Sequence, residues 1–336
     1  MNELSNEDAL RLNVLLCQDV KAIRISESQM TLDALLDGKE VSIKLNANCN
    51  KDRYVKLVKE FLSSTVLNSP AGFPVFLKRW TRMGQMQHEN ISDLLKIGEP
   101  EAIVAITYSN SLSIEQATHA WWAYPSVECA RQLLTHKNIS ESELAPVLAR
   151  FLLEFLPFET ESEDIIQTVK LLLQCELMDD ENKNKLWLKG KRKAAYLIGY
   201  LQVDSRHIPL ESEQHEYHVR GIALLKNDRS QFYLSKQGQS YTLACINALE
   251  RFSDQNSAVL LFKAIREYYS QQALITQKIK HNIPTAHIQA LQALAEVSQA
   301  DLIPVLSRSN AVGSVLRKKL VSTTDRVKMN LTILMN

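Results

Sequence analysis

Cys49 is the residue whose surroundings best suit nucleophilic chemistry. In the stretch NANCNKDRYVK it precedes a predicted helix N-terminus and lies near Lys51 and Arg53. Positive charge and a helix N-terminus both favour the thiolate, which is the nucleophilic form of cysteine. Such a thiolate could accept a persulfide from a relay partner. The alternative interpretation is an ordinary loop thiol, and the sequence fits both.

The sequence predicts no metal site and no cofactor. Its five cysteines contain no CxxC pair and therefore indicate neither a zinc site nor a disulfide framework. We interpret the four other than Cys49 as inert core residues, at positions 17, 129, 175 and 245. His215 and His218 are three residues apart in EQHEYHVRG, but no further ligand accompanies them, and a solvent-facing pair is the better interpretation.

The stretch FPVFLKRWTRMGQM contains cations around an aromatic ring, a pattern that could bind a nucleic acid. Lys78, Arg79 and Arg82 surround Trp80, a combination that suits phosphate contact and base stacking. The other interpretation is an amphipathic helix that buries Trp80 and leaves its cations in solvent. We retain the three cations as candidate binding residues.

The densest positive charge of the chain lies in KLWLKGKRKAAYLIGYL, at Lys189, Lys191, Arg192 and Lys193. The GKRK run lacks the glycine spacing and the following Ser or Thr of a P-loop, so that kind of phosphate cradle is not predicted. A contact with RNA or another anionic partner fits these residues, and so does a solvated turn between helices. The sequence also lacks a nucleophile elbow, a dinucleotide-binding glycine loop and an HExxH motif, which disfavours enzymatic activity.

Composition and charge exclude several classes of protein. Of 336 residues, 45% are hydrophobic, and 39 basic residues nearly balance 38 acidic ones. This balance creates no global attraction to nucleic acid or membrane, so any such contact must be local. The stretch MNELSNEDALRL lacks the basic and apolar regions of a signal peptide, and no apolar run has the length of a membrane span. We therefore expect a cytoplasmic protein without a membrane partner.

Residues 1–68 are predicted to form a small α+β domain. Hydrophobic residues alternate on both sides of Asp37 and Gly38, which indicates a β-hairpin or a three-stranded meander. So small a sheet is marginal alone and must pack on a helix, for which KDRYVKLVKEFLSS is the candidate.

The remainder of the chain is predicted to be helical. Helical segments begin repeatedly at or near proline, as at Pro100, Pro125 and Pro146, where the missing N–H group costs nothing. We predict a helical stack at 69–210 and a C-terminal helical stack at 211–336. The predicted fold class is therefore mainly α, an irregular α-solenoid (a HEAT- or armadillo-like helix stack) with the small N-terminal α+β domain.

The adjacent Trp121 and Trp122 fit this architecture. Neighbouring residues are about 100° apart around a helix axis, so two adjacent indoles face different partners. We predict that both pack between helix layers rather than forming a platform for ring stacking.

Several stretches of the chain resemble the DsrS family, cytoplasmic proteins of the dissimilatory sulfur-oxidation gene cluster of bacteria. The stretches are SPAGFPVFLKRWTRMGQM, LLKIGEPEAIVAI, HAWWAYPSVECARQLL, LLEFLPFE and LWLKGKRKAAYLIGYL. The resemblance implies an accessory role in the sulfite-reductase sulfur-oxidation pathway, such as control of its expression. It implies no catalytic residues.

Two functional hypotheses follow. In the first, the chain is a non-catalytic accessory or regulatory protein of dissimilatory sulfur oxidation, a helical scaffold that binds a protein of that system or an RNA. In the second, it handles sulfur and carries a persulfide on Cys49. The position of Cys49 discriminates between them, since a thiol packed into the core could not act as the acceptor. The oligomeric state is left open.

Overall fold

A computed structural model describes residues 4–67, 92–210, 232–277 and 283–335. These residues are mainly helical, and their small three-stranded sheet lies near the N-terminus. Both features were predicted and are confirmed. The chain divides into two compact units, Met1–Glu154 and Phe155–Asn336.

The first unit combines the sheet with helices. Its strands are β1 Val20–Ser26, β2 Thr31–Leu36 and β3 Lys39–Lys44. Its described helices are α1 Asn6–Leu16, α2 Lys51–Leu67, α3 Pro100–Thr107, α4 Ile114–Ala123, α5 Val127–Leu134, α6 Lys137–Ser140 and α7 Leu144–Phe155, the last of which ends at the unit boundary.

The sheet is the antiparallel meander that the alternating pattern predicts, in the order β1-β2-β3. Ile25 lies opposite Leu32, and Leu32 lies opposite Ile43, so the hydrophobic side chains share one face. That face packs against residues of α1 and α2 in one buried core. The turn between β2 and β3 requires Gly38, whose φ of +76° is in the left-handed region.

A buried carboxylate joins α1 to this core. Asp8 is fully buried, and its Oδ2 accepts hydrogen bonds from the Tyr54 hydroxyl at 2.5 Å and from the Asn46 N–H at 2.8 Å. The Ser5 hydroxyl caps α1 by accepting from the Asp8 N–H, and it also lies 3.0 Å from the Tyr54 hydroxyl. The network therefore ties the start of α1 to α2 and to the segment after β3.

Replacing Tyr54 by Phe should destabilise the protein by about 2 kcal/mol, because the buried Asp8 carboxylate loses a hydrogen-bond donor. Urea unfolding would show this as a lowered midpoint with an unchanged slope. Tyr124→Phe is the matched control, since Tyr124 is exposed, and it should change stability by less than about 0.5 kcal/mol. Equal midpoints for the Tyr54 variant and the parent would show that the network adds no stability.

The two adjacent tryptophans have different partners. The ring of Trp121 meets Phe151 of α7 edge to face, with centroids 4.9 Å apart, as helix packing predicts. Trp122 instead lies against the sheet: the Arg24 guanidinium is 4.6 Å from its ring centroid, and its indole N–H donates to Glu40 at 2.5 Å. The prediction that both indoles pack between helices is therefore wrong for Trp122, because α4 borders strand β1 on that side.

The observed units divide the chain differently from the predicted domains at 1–68, 69–210 and 211–336. The sheet belongs with the helices through Glu154. One reason is a main-chain hydrogen bond of 2.8 Å from the Ile23 N–H on β1 to the Leu95 carbonyl, which ties the sheet to the segment before α3. The predicted boundaries at 68 and 210 both adjoin ranges outside the described residues.

In the second unit, all the regular elements among the described residues are helices. Its helices are α8 Ser162–Gln174, α9 Asp180–Gly190, α10 Ala194–Leu201, α11 Lys236–Leu249, α12 Gln255–Gln277, α13 Thr285–Ala295, α14 Ile303–Leu306, α15 Gly313–Lys319 and α16 Val321–Ile333. Short 3₁₀ turns span Leu156–Phe158, Ser205–His207 and Gln299–Asp301.

Helix α10 is the centre of this unit. Every residue of its sequence AAYLIGYL is buried, and α8, α9, α11 and α12 all contact it. A helix that is apolar all round requires partners on all sides. Gly199 permits the close approach of α8, since a Cβ at this position would lie 2.7 Å from the Val169 Cβ.

Helix α9, by contrast, buries only Leu186 and Gly190. The segment between α9 and α10 therefore leads from a mostly exposed helix to a buried one, and this change places the predicted basic residues at the surface.

Among the residues that the structure describes, every helix is too short or too polar to cross a membrane.

Candidate functional site

The cations at 189–193 lie at a tight turn between α9 and α10. The turn closes through main-chain hydrogen bonds from the N–H groups of Arg192 and Lys193 to the Lys189 carbonyl, both 2.9 Å long. Gly190 packs closely against the main chain of α10: a Cβ at this position would be 3.2 Å from the Leu197 nitrogen. We call residues 189–193 the basic turn.

Two of the four cations are held by their own unit. The Nζ atom of Lys193 lies 3.4 Å from the Glu159 carbonyl oxygen and 3.5 Å from that of Thr160. The Nζ atom of Lys189 lies 5.8 Å from the ring centroid of Tyr196. Lys193 is therefore half-buried and partly held by main-chain carbonyls, whereas Lys189 is exposed and only approaches the ring.

The other two cations, Lys191 and Arg192, are exposed. Neither side chain has a hydrogen bond or an ion pair with a residue in the described ranges. By comparison, the Nζ atom of Lys185 on α9 forms an ion pair with Glu181 at 2.6 Å. Lys191 and Arg192 are thus the cations of the basic turn whose charge is available to a partner.

Two cations of the basic turn lie at helix ends, where they interact with the helix dipoles. Lys189 in the last turn of α9 complements the negative end of that helix. Lys193, however, is the N-cap residue of α10, where a cation adds to the positive end of the helix and where no side chain caps the free N–H groups. Positive charge at this end opposes stability but attracts an anion.

A cleft of about 340 Å³ opens beside the basic turn, between α9, α10 and α11. Two cations, two neutral polar residues and six other residues line it: Lys191, Arg251, Ser240, Asn247, Trp187, Gly190, Leu197, Pro209, Leu243 and Ala244. None of these lining residues is acidic.

Arg251 is the functional candidate that the sequence did not reveal. Its Nη1 atom donates to the main-chain carbonyl of Lys191 at 2.6 Å, which places its charge at the basic turn although the two residues are 60 positions apart. The sequence does contain one indication of it: Ser240, Asn247 and Arg251 have the spacing of residues on one helix face. In the structure they lie on the cleft side of α11 and of its C-terminal extension.

The first basic cluster of the sequence analysis, Lys78, Arg79 and Arg82, lies outside the described residues, as do His215 and His218. Within the described ranges, no group of three or more His, Cys, Asp or Glu residues is arranged to hold a metal ion.

Cys49 is partly buried and packs against the hydrophobic core of the first unit. Its Sγ atom lies 3.6 Å from the Asn50 carbonyl oxygen. The thiol is thus half-buried, and the persulfide hypothesis stays a prediction.

Of the four cysteines that were predicted to lie in the core, two are buried, one is partly buried and one is exposed. Cys129 and Cys245 are buried, and burial raises the pKa of the Cys129 thiol to about 11. Their thiols are therefore protonated near neutral pH, as an inert core residue requires. Cys175 is partly buried. Cys17 is exposed at the end of α1, so the prediction of a core position is wrong for it.

No protein-family model, curated protein or solved structure matches this chain.

Proposed function

We propose that this chain is a non-catalytic cytoplasmic accessory or regulatory protein of dissimilatory sulfur oxidation that binds an anionic partner through its basic turn. One observation supports the binding role: Lys191 and Arg192 are exposed without an ion pair in the described ranges, and Arg251 adds a third cation beside them. The pathway is proposed from the resemblance to the DsrS family. The partner is an acidic protein of that system or an RNA.

The scaffold that we propose is an irregular α-solenoid of HEAT or armadillo kind. Neighbouring helices of the second unit contact one another from α9 with α10 to α12 with α13, and α10 also contacts α8 and α12. Stacks of helices present extended surfaces to partners.

Replacing Lys191, Arg192 and Lys193 together by Ala should weaken binding of the anionic partner by roughly tenfold or more, because about three charged contacts are lost. Folding should be nearly unchanged, since Lys191 and Arg192 are exposed and Lys193 loses only two long contacts, of 3.4 and 3.5 Å. The measurement is a titration with poly(U) RNA and with polyglutamate at several salt concentrations. For RNA, the slope of log affinity against log salt should fall by about one unit per lost phosphate contact.

The control is a double variant on α12, Lys263→Ala with Arg266→Ala, which removes exposed charge far along the sequence from the basic turn. It should bind as the parent does. If the triple variant keeps both the parental affinity and the parental salt slope, the basic turn is only a solvated connection. Tight binding of one polyanion and not the other identifies the partner class.

A further inference from the structure

We propose that the cleft beside the basic turn binds a nucleoside monophosphate, with its phosphate between Lys191 and Arg251 and its base against Trp187. This goes beyond the macromolecular partner, because the cleft is lined by residues of α9, α10 and α11 and Arg192 is not among them. Lys191 borders both sites.

The size of the cleft fits a ligand of this class. Its volume of about 340 Å³ is within the range of small-molecule sites. The lining of α11 and its extension runs from Ser240 to Arg251, about 16 Å at the rise of a helix. A nucleotide could lie along this length.

The body of the cleft suits a flat ring. Leu197, Leu243 and Ala244 provide an apolar surface. Trp187 stands beside them, and its indole is fixed by an edge-to-face contact with Tyr200, with centroids 5.3 Å apart. An aromatic wall beside aliphatic side chains favours stacking or edge contact with a planar base.

The charges of the cleft suit a phosphate. A phosphate monoester carries a charge of about −1.5 to −2 at neutral pH, which two cations match better than they match the single charge of a carboxylate. Lys191 and Arg251 are those two cations. Arg251 uses one N–H group to hold the Lys191 carbonyl, and the guanidinium has further donors for a ligand.

Asn247 favours a polar ligand such as a nucleotide over a purely apolar one. Its amide lies on the cleft side of α11 and can both donate to and accept from a polar group of a ribose or a base. An acyl chain in the same place would leave the amide without a polar partner, at a cost in free energy.

The test is isothermal titration of the full-length protein with AMP, UMP and inorganic phosphate, with Trp187 fluorescence as a second readout. We expect saturable one-to-one binding of at least one nucleotide and much weaker binding of phosphate alone. Arg251→Gln keeps a hydrogen-bond donor but removes the charge, and it should weaken nucleotide binding by about tenfold or more. Asn247→Phe fills the cleft and should abolish binding.

Two controls accompany these variants. Arg266→Gln removes a charge from α12 outside the cleft lining, and Arg192→Ala removes one from the basic turn; both should bind nucleotide as the parent does. Circular dichroism of each variant establishes that it is folded. Should Asn247→Phe prove unfolded, Arg251→Gln alone decides the role of the cleft.

Three results would overturn the proposal: no binding of either nucleotide, phosphate that binds as tightly as AMP and UMP, or parental nucleotide affinity in folded Arg251→Gln and Asn247→Phe. In each case polyanion binding at the basic turn can persist, which leaves the proposed function standing. Conversely, nucleotide binding without any polyanion binding would support the cleft and reject the proposed function.

Discussion

Raising the pH from about 9 to about 11 should unfold the second unit cooperatively, because its buried tyrosines must ionise. Tyr233, Tyr241, Tyr268 and Tyr269 are all buried there, and burial raises the pKa of each above its ordinary value. A group whose pKa is higher in the folded state keeps its contribution to stability below the unfolded pKa and loses it as pH rises. The unfolded pKa of tyrosine is about 10, so the loss begins there.

The expected size is large. At pH 11, each tyrosine that stays protonated in the fold costs about 1.4 kcal/mol relative to the unfolded chain. Four such residues cost about 5 to 6 kcal/mol, which is comparable with the whole stability of many domains, about 5 to 15 kcal/mol. Tyrosinate absorbance and circular dichroism are followed together during a pH titration, and the part of the absorbance that belongs to the buried tyrosines should rise in the same step in which the helical signal is lost.

The control for this titration is Tyr124→Phe, which removes an exposed tyrosine and should leave the midpoint pH unchanged. Tyr268→Phe removes one buried hydroxyl and should make the loss of stability with pH less steep. Complete ionisation of the tyrosines with the helical signal intact would contradict the prediction.

Gly238→Ala should destabilise the protein by more than about 3 kcal/mol, against the usual gain from replacing glycine in a helix. Gly238 lies in the first turn of α11, where its N–H donates to the capping Ser235 hydroxyl at 3.0 Å. A Cβ there would overlap the Phe232 carbonyl oxygen and lie 2.5 Å from the Tyr233 Cα. These are main-chain atoms, which cannot move aside as a flexible side chain can.

The segment that would have to move is itself fixed. The Tyr233 N–H donates to Gln272 of α12 at 3.0 Å, and the Tyr233 carbonyl accepts from Gln239 at 2.8 Å, both in buried positions. Urea unfolding measures the effect. Gly190→Ala is the matched control: its Cβ would be 3.2 Å from the Leu197 nitrogen, and it should cost no more than about 1 kcal/mol. Parental stability in Gly238→Ala would mean that Tyr233 does not press on α11.

The parts of the fold that were predicted are those with a local physical cause. The meander follows from an alternation that puts Ile25, Leu32 and Ile43 on one face, together with Gly38 at a position of positive φ in the turn between β2 and β3. The basic turn was located from its local density of positive charge, and the apolar run directly after it is buried as α10.

The parts that were missed depend on contacts distant in sequence. Trp122 is 82 residues from Glu40, and Arg251 is 60 residues from Lys191. No spacing rule links residues so far apart, since their meeting depends on how whole helices pack. The charge of the basic turn was therefore visible in the sequence, whereas the cleft beside it was not.

The burial of α10 has a consequence for the newly made chain. Two of the helices that cover it, α11 and α12, are synthesised after it, so the emerging chain carries an eight-residue apolar helix that only α8 and α9 cover. Such partly bare apolar surface binds chaperones and promotes aggregation until the remaining partners emerge. The second unit therefore completes its fold late in translation, once residues through 277 have left the ribosome, and a chain that stops before α11 leaves one side of its central helix uncovered.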